Sequence, residues 1–168
     1  ELTPGGLVLL ASGRVQLSGQ AAASLTGTVF NDANMNNILD AGETGLAGVT
    51  ATITCNAGPA CTAGEAHSAV TSATGVYNFA PGATVDGQAN FPGLASGSWT
   101  LSIAPDASWN NRGSVAGTVN GVASGNAAGR SISGIVVPTG AIAVDYVFSE
   151  HQMGSLTINK ALALPAGV

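Results

Sequence analysis

An all-β sandwich is the fold this sequence predicts, on three observations. Roughly seven short stretches alternate apolar and polar residues with the two-residue period of a half-buried strand. Turns rich in Gly, Asn and Pro separate them. No stretch carries the 3.6-residue periodicity of a helix over a useful length. Composition agrees: hydrophobic residues make up 45% of the 168, many of them alanine, and only 5% are aromatic. The length suits one domain with a proper core. Low charge, 8%, and positive mean hydropathy exclude a disordered chain.

Taken in order, residues 1–22 form an N-terminal strand segment. Leu7-Val8-Leu9-Leu10-Ala11 is a continuous apolar run and Arg14-Val15-Gln16-Leu17 alternates, which reads as one or two strands. That run is too short to span a bilayer. Ala23–Phe30 is a strand, and Gly45-Leu46-Ala47-Gly48 a turn. In Val49–Cys55 the alternation is strict, placing Val49, Ala51, Ile53 and Cys55 inward and the threonines outward. Ser72-Ala73-Thr74-Gly75 is a turn before the short strand Val76–Phe79, and residues 80–90 are loop. Trp99–Ile103 alternates and stops at Pro105. Residues 106–130 are polar and rich in Gly and Asn, with one weak strand candidate at Val115–Val122. Ser131–Val137 and Ala141–Phe148 are strands joined by Pro138-Thr139-Gly140, and alternation puts Ile142, Val144, Tyr146 and Phe148 on one face.

The stretch that carries chemistry lies between the first two sandwich strands. In Asp32-Ala33-Asn34-Met35-Asn36-Asn37-Ile38-Leu39-Asp40-Ala41-Gly42-Glu43, oxygen-bearing side chains fall at positions 1, 3, 5, 9 and 12. That is the ligand spacing of a calcium loop, with the Ile38 carbonyl at position 7 completing the set. Three of the nine acids of the chain, Asp32, Asp40 and Glu43, sit in these twelve residues. Such crowding is repulsive unless a cation compensates it. Position 6, usually glycine, is Asn37, a residue that tolerates the left-handed backbone the turn needs. Strands rather than helices flank the loop, which argues against an EF-hand and for a sandwich corner fixed by Ca²⁺. The competing reading is an Asx-rich surface turn without metal.

Charge and cysteines narrow the setting. The net charge is −5, with Arg14, Arg112, Arg130 and Lys160 the only fixed cations. No basic patch exists for nucleic acid or for an anionic membrane surface. Cys55 and Cys61 flank Asn-Ala-Gly-Pro-Ala, a spacing suited to a small disulfide-closed loop, and no Cys/His set for zinc accompanies them. A disulfide implies an oxidising compartment, hence an extracellular or cell-surface protein. The alternative is two free thiols in a β core. The chain opens at Glu1 with no methionine or signal-peptide pattern, which reads as a processed or excised piece.

No catalytic constellation is legible, so the expected function is non-enzymatic. His67 reads as a polar-loop residue without a nucleophile motif, and Glu65, Asp86, Asp106 and Glu150 are scattered along the chain. Trp99 fits the core. Trp109, in Ser108-Trp109-Asn110-Asn111, reads as a loop residue, either packed over the end of the sandwich or exposed to stack on a sugar.

Gly27-Thr28-Val29-Phe30-Asn31-Asp32 with Asn34, Asn36, Asp40 and Glu43, followed by Gly45-Leu46-Ala47-Gly48-Val49, resembles the B-type domains of serine–aspartate repeat adhesins. Thr74–Phe79, Gly93-Leu94, Gly97-Ser98-Trp99, Ile135–Gly140 and Asp145–Phe148 are similar to later parts of the same domain, and the likeness covers about residues 23–149. The resemblance implies a Greek-key, transthyretin-like or Cna B-type sandwich. It also implies calcium ligation by Asp32, Asn34, Asn36, Asp40 and Glu43 and a place in stalks of bacterial surface proteins. Asn37 stands where that family has glycine, which implies a lower affinity. Related Cna B-type domains often carry a Lys–Asn isopeptide between their first and last strands. The first strand here, Ser24–Phe30, has no lysine, so none is expected within 23–149.

Residues 150–168 read as a C-terminal strand that needs a partner. Leu156, Ile158, Lys160, Leu162 and Leu164 fall on one side, and a lone strand cannot bury that face. Each end either belongs to a neighbouring domain, completes the next copy as a donor strand, or folds back on its own sandwich. The second reading is slightly favoured and would build a head-to-tail filament. Lys160 is the sole lysine, read as an inter-subunit isopeptide or salt bridge or as a snorkelling strand end. Together these features predict a calcium-stabilised, extracellular building block of a surface stalk or pilus-like fibre. The runner-up is an adhesin-type module that binds glycan or host protein through the Trp109 loop.

Overall fold

A computed structural model of the protein describes residues 7–9, 15–17 and 21–154. Lys160, Leu156 and Ile158 lie outside the described residues. Within them the chain is all-β, with two sheets packed as a sandwich and no helix. It follows that no helix there is long and apolar enough to cross a membrane. In the N-terminal segment, β1 (Leu7–Leu9) and β2 (Val15–Leu17) pair as an antiparallel hairpin.

The first sheet is built on β3 (Ser24–Asn31) and β14 (Ile142–Gln152), the first and last strands of the sandwich, which lie side by side and parallel. β4 (Thr44–Gly45) and β7 (Val76–Asn78) pair with β3 on its other side. β9 (Trp109–Val115) and the hairpin of β10 (Thr118–Val119) and β11 (Val122–Ala123) continue the sheet beyond β14. The second sheet runs β12 (Asn126–Ala128), β13 (Ser131–Val137), β8 (Gly97–Ala104), β5 (Thr50–Ala57), β6 (Ala66–Val70). The chain therefore crosses repeatedly between layers, and most of its pairing joins residues distant in sequence.

Alternation places the core largely as predicted. Val49, Ala51, Ile53 and Cys55 are buried, as are Trp99, Leu101 and Ile103, and together with Leu25, Val29, Tyr77, Phe79 and Phe148 they form one cluster between the sheets. Cys55 and Cys61 are joined in the predicted disulfide, Cα atoms 6.2 Å apart, closing the loop after β5.

Three readings are corrected. In β14 the single apolar face breaks: Asp145 has φ +64° and the register against β3 shifts between Ala143 and Tyr146. The extra residue of this bulge turns Ala143 inward with Tyr146 and Phe148, leaving Ile142 60% exposed. β6 has no counterpart in the predicted strands, because its inward positions are His67 and Ala69 while Val70 is 63% exposed. Its alternation is inverted with respect to hydropathy. Residues 106–130 form β9 to β12 rather than loop with one weak strand, and Val115–Val122 is split by a turn between them. These strands sit where one face is open to solvent, so their residues are polar or small and show no apolar period.

Candidate metal centre

The loop 32–43 is closed at its base by strand pairing. Phe30 pairs with Gly45 and Asn31 with Thr44, so positions 1 and 12 of the loop, Asp32 and Glu43, both leave the last rung of this ladder. Gly45 is required there, since a Cβ would collide with the Thr74 carbonyl. The last strand holds the loop from the other side. The Asp32 N–H donates to the Glu150 carbonyl at 2.7 Å. His151 Nδ1 lies 3.0 Å from the Asp32 carbonyl and donates to it.

All five predicted side-chain ligands meet in one hydrogen-bonded network. Asp32, fully buried, accepts the Asn36 N–H at 3.0 Å and the Asn37 N–H at 2.8 Å, one on each oxygen. Glu43 reaches back to accept Ala33 N–H at 2.8 Å and Asp40 N–H at 3.1 Å. Asp40 Oδ2 accepts from the Asn34 amide at 2.8 Å and the Asn36 amide at 2.7 Å. Hydrogen bonds from Asn34 and then Asn36 hold the Asp40 carboxyl below the ordinary carboxylate value. Asn36 Oδ1 in turn accepts the Ile38 N–H at 2.8 Å. Asn37 takes the left-handed backbone expected of position 6, φ +62°, and Met35 does so as well, φ +63°. Next to the loop, Asn31 Oδ1 is buried with no hydrogen-bond donor, an acceptor that the motif spacing did not single out.

Chemically the residues fit a hard cation. The donors are three carboxylates, two amides and the Ile38 carbonyl, all oxygen. Each asparagine that gives its nitrogen to Asp40 carries an oxygen on the same amide. Among the described residues no cationic side chain pairs with Asp32, Asp40 or Glu43; the ion pairs are His67 with Glu65 and Asp86, and Arg130 with Glu150. Among the described residues no three His, Cys, Asp or Glu side chains converge as a ready cage. Asp32 and Glu43 are turned to backbone amides, so the loop is closed on its own hydrogen bonds.

Other acidic residues are brought together in ways their sequence positions do not show. His67 is a buried strand residue, not a loop residue, with Nδ1 2.9 Å from Asp86 and Nε2 3.1 Å from Glu65. Asp86 also accepts the Ser68 N–H at 2.7 Å, while its own N–H donates to the Ser68 carbonyl at 2.7 Å. It thereby caps the outer edge of β6 against further pairing. Glu150, fully buried, is clamped by Arg130. Trp109 opens β9 rather than sitting in a loop, and it is half-buried against the core. The sugar-stacking reading assumed an exposed loop ring.

Compared with known protein families and with curated proteins, the chain matches none.

Proposed function

We propose that this protein is a non-enzymatic, extracellular structural unit, a β-sandwich stiffened by Ca²⁺ in the loop 32–43 and joined to its neighbours through its terminal segments as part of a stalk or filament. The observation that carries the reading is the loop itself. Three carboxylates lie within twelve residues at the point where β3 leaves the sheet, and among the described residues none is paired with a cationic side chain. A cation there would remove their mutual repulsion and bind positions 1, 3, 5, 7, 9 and 12 into one rigid corner. Asp32, Asn34, Asn36, Ile38, Asp40 and Glu43 would hold it. Outside a cell, Ca²⁺ sites of roughly 10⁻⁴–10⁻³ M affinity are filled. The resemblance to serine–aspartate repeat adhesin B-type domains supports the same reading, and the disulfide fits an oxidising compartment.

Thermal unfolding in calcium and in chelator tests the ion. Calcium at about a hundred times its Kd should stabilise by about 2.7 kcal/mol. In a domain of this size that raises Tm by about 8 °C. Magnesium, which holds its water more tightly, should do less. Identical melting curves with excess calcium and excess chelator would rule out the mechanical role of the ion. Electron microscopy of the native material tests assembly: fibres with a subunit-length repeat are expected, and isolated particles would contradict it.

A further inference from the structure

We propose that Asn37, the residue standing where such a loop ordinarily has glycine, is a positioning residue that tethers the cation loop to the seam between β9 and β14. The idea rests, for its effect on cation affinity, on the calcium reading above. The tether itself does not.

Asparagine at position 6 needs a reason beyond tolerance of the left-handed backbone, because glycine adopts that conformation with no steric penalty. The reason lies across the fold. The buried Ser149 hydroxyl donates to Asn37 Oδ1 at 2.7 Å, over 112 residues of chain. Gly113, paired with Ser149 in the β9–β14 ladder, leaves the room this contact needs, since a Cβ at that position would come within 2.9 Å of Asn37 Oδ1. The ladder is irregular at the same place. Ser149 pairs with Gly113 but Glu150 pairs with Asn111, so Arg112 is an extra residue in β9.

Two further bonds come from the same strand. Glu150 accepts the Asp32 N–H and His151 donates to the Asp32 carbonyl. Residues 149 to 151 thus grip position 1 by its main chain and position 6 by its side chain. A change in the loop on binding a cation is then felt by β14, and the fit of β14 against β9 is felt by the loop. Two sites joined in this way share one coupling free energy, acting equally in both directions. The strand so coupled ends at Gln152, shortly before the chain runs on into residues 155–168.

The test uses Asn37→Gly, Ser149→Ala and the double variant, with calcium titrated calorimetrically into each. Asn37→Gly is informative because it relieves the left-handed backbone while removing the tether. If glycine were the better residue, calcium would bind at least as tightly. The expected result is the opposite: each single change weakens calcium about tenfold, as loss of a ligand-orienting partner does. The double variant should be no weaker than either single by more than about twofold, because both changes break the same bond. Wild-type affinity in Asn37→Gly, or additive losses in the double variant, would overturn the tether. Amide exchange in chelator separates this from failure of the calcium reading. Should the wild type bind no calcium, that reading falls. The tether then stands only if both single changes speed exchange at the Asn36 and Asn37 amides about tenfold, and unchanged exchange removes it.

Discussion

Replacing Arg130 with alanine is expected to destabilise the protein by about 3–5 kcal/mol, the largest single-residue effect we foresee. Arg130 stands in the turn between β12 and β13 and reaches into the opposite sheet. Its Nε donates to Glu150 Oε1 at 2.8 Å, and one terminal nitrogen donates to Oε2 at 2.6 Å and to the Trp109 carbonyl at 2.7 Å. The hydrogen bonds to Glu150, and then its charge, also hold the guanidinium above its ordinary pKa. The two partners are not equally placed. The Arg130 side chain is 35% exposed whereas Glu150 has no exposed surface. Solvent therefore weakens the attraction as seen from the arginine, and the cost of the change lies with the glutamate. Without Arg130, a carboxylate in the interior keeps, among the described residues, only the Asn111 amide at 3.3 Å. Arg130→Lys should lose part of the same stability, because a lysine cannot make the forked contact. Arg130→Met combined with Glu150→Leu should regain most of it by removing the orphaned charge. Urea unfolding midpoints at unchanged m decide between these outcomes. An Arg130→Ala variant within about 1 kcal/mol of wild type would show that the buried carboxylate does not depend on this partner.

Gly27→Ala is expected to cost about 3 kcal/mol or more, from one methyl group in β3. A Cβ at Gly27 would overlap both the Tyr146 carbonyl of β14 and the Tyr77 hydroxyl of β7. These two atoms are themselves bonded: the Tyr77 hydroxyl donates to the Tyr146 carbonyl at 2.7 Å. Burial, and then the proximity of Tyr146, push the Tyr77 hydroxyl well above its ordinary pKa, so it stays protonated and keeps donating. The glycine thus lets a tyrosine cross β3 and close the seam between the first and last strands. Combining Gly27→Ala with Tyr77→Phe should relieve only part of the strain, since the backbone carbonyl remains in the way. Full rescue by Tyr77→Phe would mean that the hydroxyl alone sets the limit. Guanidinium unfolding of the two single variants and the double variant measures the difference.

The last strand shows how far alternation can be read. Along Ile142–Phe148 a strict period of two places Ile142 and Val144 with Tyr146 and Phe148. The bulge at Asp145 exchanges Ala143 for Ile142 on the inner face. A bulge inserts one residue and inverts the pattern on one side of itself. Asp145 carries no turn signal strong enough to announce that inversion. β6 escaped notice for a related reason. Its buried positions, His67 and Ala69, are not apolar enough to mark a face, and His67 is acceptable inside because Asp86 and Glu65 satisfy its ring. The partners come from the residue just before β6, two residues away, and from a loop nineteen residues away.

The candidate site divides along the same line. The oxygen-bearing side chains and their spacing within twelve residues are legible in the sequence, as is the left-handed backbone at Asn37, because both are local properties of the chain. What grips the loop was not legible. Ser149, Glu150 and His151 lie more than a hundred residues away and reach it only because β3 and β14 run side by side.

By itself, then, the chain's order of residues determined a two-layer β architecture, most of its inward positions, the Cys55–Cys61 closure and an oxygen-rich turn after the first sandwich strand. These follow from periodicities and spacings shorter than a single strand or loop. Only the tertiary structure decided where that turn is anchored, that Glu150 is buried against Arg130 and where the alternation slips. Those outcomes depend on which distant strands become neighbours, and pairing between distant strands leaves no period in either of them.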